Sequence, residues 1–146
     1  MQLSDVFLSL GEESFGRLIK GISLGKLKSY QLFERFKIRC HFGKLNSETL
    51  ARAASRLWTR LGEKDDEYAR DLAQAILVSH LDMIIAVLDF MKVPHEDGFF
   101  AKELDAKAYF TEGWSARVVE EFKGKYPEEL LRFYTGHLCW ELSVAA

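Results

Sequence analysis

Four histidines, two cysteines and a series of regularly spaced arginines are the groups in this chain that could do chemistry. His80 lies within the longest apolar stretch, Asp65 to Val93, and has Ile76, Ile84 and Val87 as neighbours at helical spacing. An imidazole there could ligate a metal or act as a base near neutral pH. The reading preferred here is a neutral core residue held by one hydrogen bond, because charging a buried ring is costly. His137 and Glu141 stand four residues apart on the inward side of the last helical pattern, among Leu130, Tyr134 and Leu138. One turn apart, an imidazole and a carboxylate can share a metal or orient each other. A protein metal site normally takes three or four ligands, so His80, His137 and Glu141 would have to converge. That convergence defines the alternative reading, a metal- or cofactor-binding helical-bundle protein or enzyme. The paired Glu-x-x-His of di-iron bundles is missing from the sequence. The preferred expectation is therefore no metal and no cofactor.

Other motifs fail on spacing. Gly21 to Leu27 reads GISLGKL, with three residues between its glycines and Leu27 after the lysine. A phosphate-binding loop needs four residues there and a Ser or Thr in that last place. Cys139 and His137 point to different sides of a helix, while Cys40–His41 and Ser79–His80 are adjacent pairs, so none makes a nucleophile–base couple. His95, Glu96 and Asp97 are three potential ligands in a row, and neighbouring residues seldom point at one ion. A solvated turn is expected.

The basic residues carry the strongest signal. Residues 17 to 60 contain eleven Lys or Arg against two acids, and residues 61 to 146 contain nine against seventeen, yet the whole chain is only at −2. Lys28, Arg35 and Arg39 line one side of one helical pattern, and Arg52, Arg56 and Arg60 recur every fourth residue on the next. Arg17, Lys20, Lys26, Lys37 and Lys44 lie nearby in sequence. Cationic ridges of this kind fit phosphates or acidic protein surfaces. They fit a sequence-reading helix-turn-helix less well, because the charges run along whole faces instead of gathering on one recognition helix. A non-enzymatic binding or regulatory module facing an anionic partner, an acidic protein surface or nucleic acid, is the leading functional expectation.

Helices must position these groups. The periodicity predicts a helix over Leu3–Leu10, a second capped by Ser14 and ended near Gly25, and a third from Lys26 to about Phe42. Asn46 then caps a helix with an apolar stripe of Leu50, Ala53, Ala54, Leu57, Trp58 and Leu61, and Gly62 stops it. Asp65, Asp66 and Glu67 open the long apolar helix at its positive dipole end, and Pro94 closes it. Unbroken, that helix (about 65–92) would be on the order of 40 Å long. Its one narrow polar side of Asp71, Gln74, Asp82 and Asp89 makes it a buried central helix. Pro94 to Gly98 reads as a turn, and Phe99–Phe110 as a short helix plus an irregular segment. Trp114, Val118 and Phe122 mark another helix, and Pro127 with Glu128 and Glu129 starts the last. No strand is expected. The fold class is all-α, a single-domain helical bundle over 1–146 with roughly six to eight helices around the central one.

Composition agrees with a globular core: 48% apolar residues, with eleven Phe and only two Pro. The acids within the apolar stretch argue against a membrane span. Two cysteines are too few for a disulfide framework in a chain this size, and the first ten residues lack the pattern of a secretory signal. A cytoplasmic protein is expected, with Cys40 and Cys139 reduced. Thiol titration of acid-quenched, denatured protein should then find two thiols per chain, whereas none would mean an oxidising compartment.

Overall fold

A computed structural model describes residues 2–23 and 47–146, with side chains in the second stretch described from residue 54 onward. The protein is all-α, with seven α-helices and one two-stranded hairpin among the described residues. The chain divides into two compact units, 1–79 and 80–146.

In the first unit, α1 (Leu3–Leu10) buries Leu3, Val6, Phe7 and Leu10, and the Asp5 carboxylate accepts the Gln2 amide at 2.9 Å in its first turn. Gly11 has φ 88°, a conformation only glycine takes cheaply, and α2 (Glu12–Lys20) starts at once. The expected cap, Ser14, is thus already inside α2, where its hydroxyl accepts from Arg17 at 3.0 Å. The helix ends at Gly21 instead of Gly25. The predicted helix from Lys26 to Phe42, with Asn46, lies outside the described residues.

The next helix, α3 (Ser47–Gly62), packs along α2, and α1 packs on α2, α3 and α4 (Asp66–Ser79). Phe15 is the hub of that packing. Its ring lies 5.8 Å from Phe7, edge to face, and 5.3 Å from Trp58. Asp65 caps α4 as its acidic start predicted, accepting the Tyr68 amide at 3.1 Å. Within α4, Tyr68, Ala69, Leu72, Ala73, Ala75, Ile76 and Val78 are buried and Gln74 is exposed.

The apolar stretch is helical where expected, but it is two helices and not one. The Ser79 hydroxyl donates to the Ala75 carbonyl one turn back (2.8 Å) and accepts the Ser23 amide (2.9 Å). Back-bonding of this kind competes with the helix ladder. His80 leaves the helical region at φ −132°, ψ 40°, and α5 (Leu81–Phe90) begins beyond it. No single helix among the described residues is long and apolar enough to cross a membrane, and α4 and α5 reach that measure only when taken together.

In the second unit, α5 buries Met83, Ile84, Val87 and Leu88 and exposes Asp82 and Asp89, as its polar side predicted. It ends ahead of Pro94. Lys92 turns left-handed at φ 58°, which lets the Val93 amide close on the Leu88 carbonyl at 2.9 Å. The turn at Pro94–Gly98 proves to be the tip of a hairpin, β1 (His95–Glu96) and β2 (Phe99–Phe100), paired antiparallel with His95 opposite Phe100 and Glu96 opposite Phe99. Asp97 (φ 51°) and Gly98 (φ 94°) form its two-residue loop, the Asp-Gly combination such hairpins favour. A 3-10 turn follows at Ala106–Tyr109, ahead of α6 (Trp114–Phe122).

Trp114, Val118 and Phe122 are all buried. The Trp114 indole nitrogen donates to the Ala145 carbonyl at 2.8 Å and its ring lies 4.8 Å from Phe110, so the tail after α7 (Glu128–Leu142) is tied to the start of α6. Pro127 stands at the cap of α7 and Ser143, left-handed at φ 54°, ends it.

Gly98 is closely seated, since a Cβ there would sit 3.3 Å from Ile84 Cγ2 in addition to the strain of its positive φ. Gly98→Ala should cost about 1–3 kcal/mol by urea denaturation. Gly124→Ala, which meets nothing within 4 Å, should be neutral or slightly stabilising.

Candidate functional site

Of the expected basic ridge, Arg52, Arg56 and Arg60 fall on α3. Leu57 and Leu61 are buried and Trp58 is half-buried against Phe15, so the described part of the apolar stripe faces inward as its spacing predicted. Ser55, Arg56 and Thr59 are exposed. Arg52 stands one turn before Arg56 in the same helix, although its side chain is outside the described set. Lys28, Arg35 and Arg39 lie wholly outside the described residues.

Arg60 differs from Arg56. Its guanidinium reaches the Asp65 carboxylate at 3.3 Å and lies over the Tyr68 ring, 4.8 Å from the centroid. It joins the end of α3 to the cap of α4, a structural task. The Tyr68 amide and then Arg60 hold the Asp65 carboxyl below its ordinary value, while burial pushes the Tyr68 phenol up to about 12. Arg17 is likewise engaged within α2, bonded to Glu13 at 3.3 Å. Sequence spacing could not separate these arginines from Arg56. The partner of Arg60 lies across the α3–α4 turn, where Lys64 takes a left-handed φ of 58°.

The second candidate cluster is on α7. His137 Nδ1 comes within 3.8 Å of the Glu141 carboxylate, too far for a hydrogen bond, and the imidazole is 12% exposed. Phe133 and Trp140 flank it, with ring centroids 6.1 and 5.5 Å away. Burial lowers the His137 pKa to about 4, so the ring is neutral at pH 7. Burial also raises Glu141, whose charge in turn adds to the upward push of burial on Tyr134. His80, half-buried at the α4–α5 break, is held below its ordinary value by burial against a smaller opposing effect of Asp82. His137 and Glu141 are thus brought together, but no three His, Cys, Asp or Glu side chains among the described residues gather as a metal would require. Cys139 is a free, half-buried thiol whose pKa burial raises, and Cys40 lies outside the described residues.

Sequence reasoning left His95 in a solvated turn, whereas its side chain is only 11% exposed. Its Nε2 lies 2.7 Å from the Asp89 carboxylate and its Nδ1 accepts the Gly98 amide at 3.1 Å. Because Nδ1 accepts, Nε2 carries the proton and donates to Asp89. With both ring nitrogens engaged, His95 clamps the hairpin to the end of α5. The Asp97-Gly98 pair was the signal that could have found the hairpin, and with it the inward side of His95.

The His137 geometry has a pH consequence. Its folded pKa lies below the unfolded value, so its contribution to stability is complete above pH 6.5 and is lost as pH falls towards 4. Between pH 7 and pH 5 that loss is about 2 kcal/mol at most. His137→Phe should therefore lose less stability than wild type over that interval by urea denaturation. Glu141 is present in both proteins, so the difference reports the imidazole. Equal losses would place the His137 ring in water.

No family model, curated protein or solved structure matches the chain.

Proposed function

We propose that the protein is a non-enzymatic, cytoplasmic binding or regulatory module whose basic segment, residues 17–60, faces an anionic partner. The observation that carries the reading is Arg56, which stands exposed on α3 while the apolar side of that helix is buried in the first unit. A cation kept in water beside a well-packed helix costs the fold little and remains available for a phosphate or a carboxylate. The excess of nine positive charges in residues 17–60 supplies the field that would draw such a partner in. Arg60 is subtracted from the ridge, since its pairing with Asp65 and Tyr68 uses it locally. Among the described residues, the metal- or cofactor-centred alternative has only His137 and Glu141 together, two groups where three or four are needed.

Titration with heparin, RNA and an acidic polypeptide at two salt concentrations tests the reading. Wild type should bind at least one of them at low salt, with affinity falling steeply as salt rises. Arg52→Glu/Arg56→Glu should weaken that binding at least tenfold. Arg56→Glu alone should change stability by about 0.5 kcal/mol or less. Arg60→Met should behave the other way, leaving binding nearly intact and costing about 1 kcal/mol of stability through its lost ion pair and ring contact. Absence of any polyanion binding at low salt would overturn the reading.

A further inference from the structure

The hairpin of the second unit presents an aromatic ring to solvent from a firmly held support. Only two large hydrophobic side chains are exposed among the described residues, Phe90 at 38% and Phe99 at 60%, and both belong to this unit. The antiparallel register explains which way Phe99 points. Glu96 and Phe99 are cross-strand partners on the exposed face, while His95 and Phe100 occupy the half-buried one. Phe100 and His95 therefore serve the packing side, and Phe99 has no such role.

The support is fixed at three points. The Gly98 amide donates to His95 Nδ1, His95 Nε2 donates to Asp89, and Gly98 sits closely over Ile84 and Ile85 of α5. An aromatic held this way loses little freedom on binding, which favours its use as an anchor. Phe90, next in sequence to Asp89, is braced edge to face on Phe122 with centroids 5.6 Å apart. Acids dominate the surroundings. Glu96 and Asp97 flank Phe99 on the hairpin, Asp89 flanks Phe90, and residues 82–105 hold six acids against Lys92 and Lys102.

We propose that this hairpin is a docking element for a basic, apolar-faced segment of a partner protein, with Phe99 as its anchor and Glu96, Asp97 and Asp89 as its charged rim. An anionic lipid surface or a nucleic acid would meet like charge here. A neutral apolar partner would leave the acids facing desolvation without compensation. A segment carrying Lys or Arg around apolar side chains satisfies both the ring and its rim. This surface is built from residues of the second unit alone.

A fluorescein-labelled amphipathic peptide of Leu and Lys, with a Leu–Glu peptide of the same pattern as control, tests the proposal on the full chain. Wild type should bind the Leu–Lys peptide and ignore the Leu–Glu one. Phe99→Ser should weaken binding at least tenfold with little change in the thermal melt, since Phe99 is mostly exposed. Glu96→Lys/Asp97→Asn should weaken it at least as much, and Asn keeps the left-handed turn available. Glu120→Lys/Glu121→Lys on α6, a charge reversal outside the proposed rim, should leave affinity within about twofold, the scatter expected of an uninvolved surface site. Equal binding of both peptides, an unaffected Phe99→Ser variant, or equal weakening by the α6 reversal would each overturn the proposal. So would self-association that Phe99→Ser abolishes in a protein that ignores the Leu–Lys peptide, because the occupant would then be a second copy.

Discussion

The Ser79 hydroxyl has a single proton and spends it on the Ala75 carbonyl, while its lone pair takes the Ser23 amide. Both bonds act at the last turn of α4, where the ladder is already short of partners. One side chain thus ties the chain leaving α2 to the end of α4 and competes for the carbonyl that would have carried the helix onward. His80 follows in a non-helical conformation, and its own carbonyl restarts the ladder by accepting the Ile84 amide at 3.1 Å. The boundary between the two compact units falls at this place. An apolar stretch that could have formed one long rod instead supplies each unit with a helix of its own.

The electrostatics divide in the same way. In the first unit, charge is kept at the surface and used at helix ends, where Asp65 caps α4 and Arg60 reaches back to it across the turn. Such partly exposed pairs add little stability singly. They fix how α3 hands over to α4, and they engage Arg60 locally where Arg56 stays exposed. In the second unit, two histidines are drawn largely inward. His137 and Glu141 are pushed by burial in the directions that remove charge from both, so the pair approaches without forming an ion pair. His95 is also inward, but both of its nitrogens are satisfied, which makes it a clamp, whereas His137 Nδ1 has no hydrogen-bond partner among the described residues.

Much of the fold was legible because helical periodicity is a strong signal over ten or more residues. Trp114, Val118 and Phe122 are buried on one helix as their spacing required, and Asp65 caps α4 as the acidic run implied. What escaped was short or non-local. Ser79 and His80 are each tolerated in helices, and only the Ser23 amide, 56 residues away, makes the break intelligible. Two-residue strands are too brief to alternate visibly, so the hairpin could be read only from Asp97-Gly98. For the candidate site, the exposed side of α3 followed from its stripe, but the local engagement of Arg60 required the geometry of the turn. The ligand-like trio was misjudged in a different way: His95 is not a solvated neighbour of Glu96 and Asp97, because strand alternation turns it to the opposite face.

Alternation of that kind also gives the hairpin its two characters. Its half-buried side, His95 and Phe100, binds it to the second unit through Asp89 and the close seat of Gly98 on Ile84. Its exposed side, Glu96 and Phe99, is then free of any packing duty. A ring left 60% exposed on a support held by these contacts gains only part of the free energy of burial. Natural surfaces tolerate single exposed aromatics, so exposure alone would decide nothing. The deciding feature is the combination of a positive-φ loop, a doubly bonded histidine and an acidic surround, all of which fix the ring where a cationic partner could reach it.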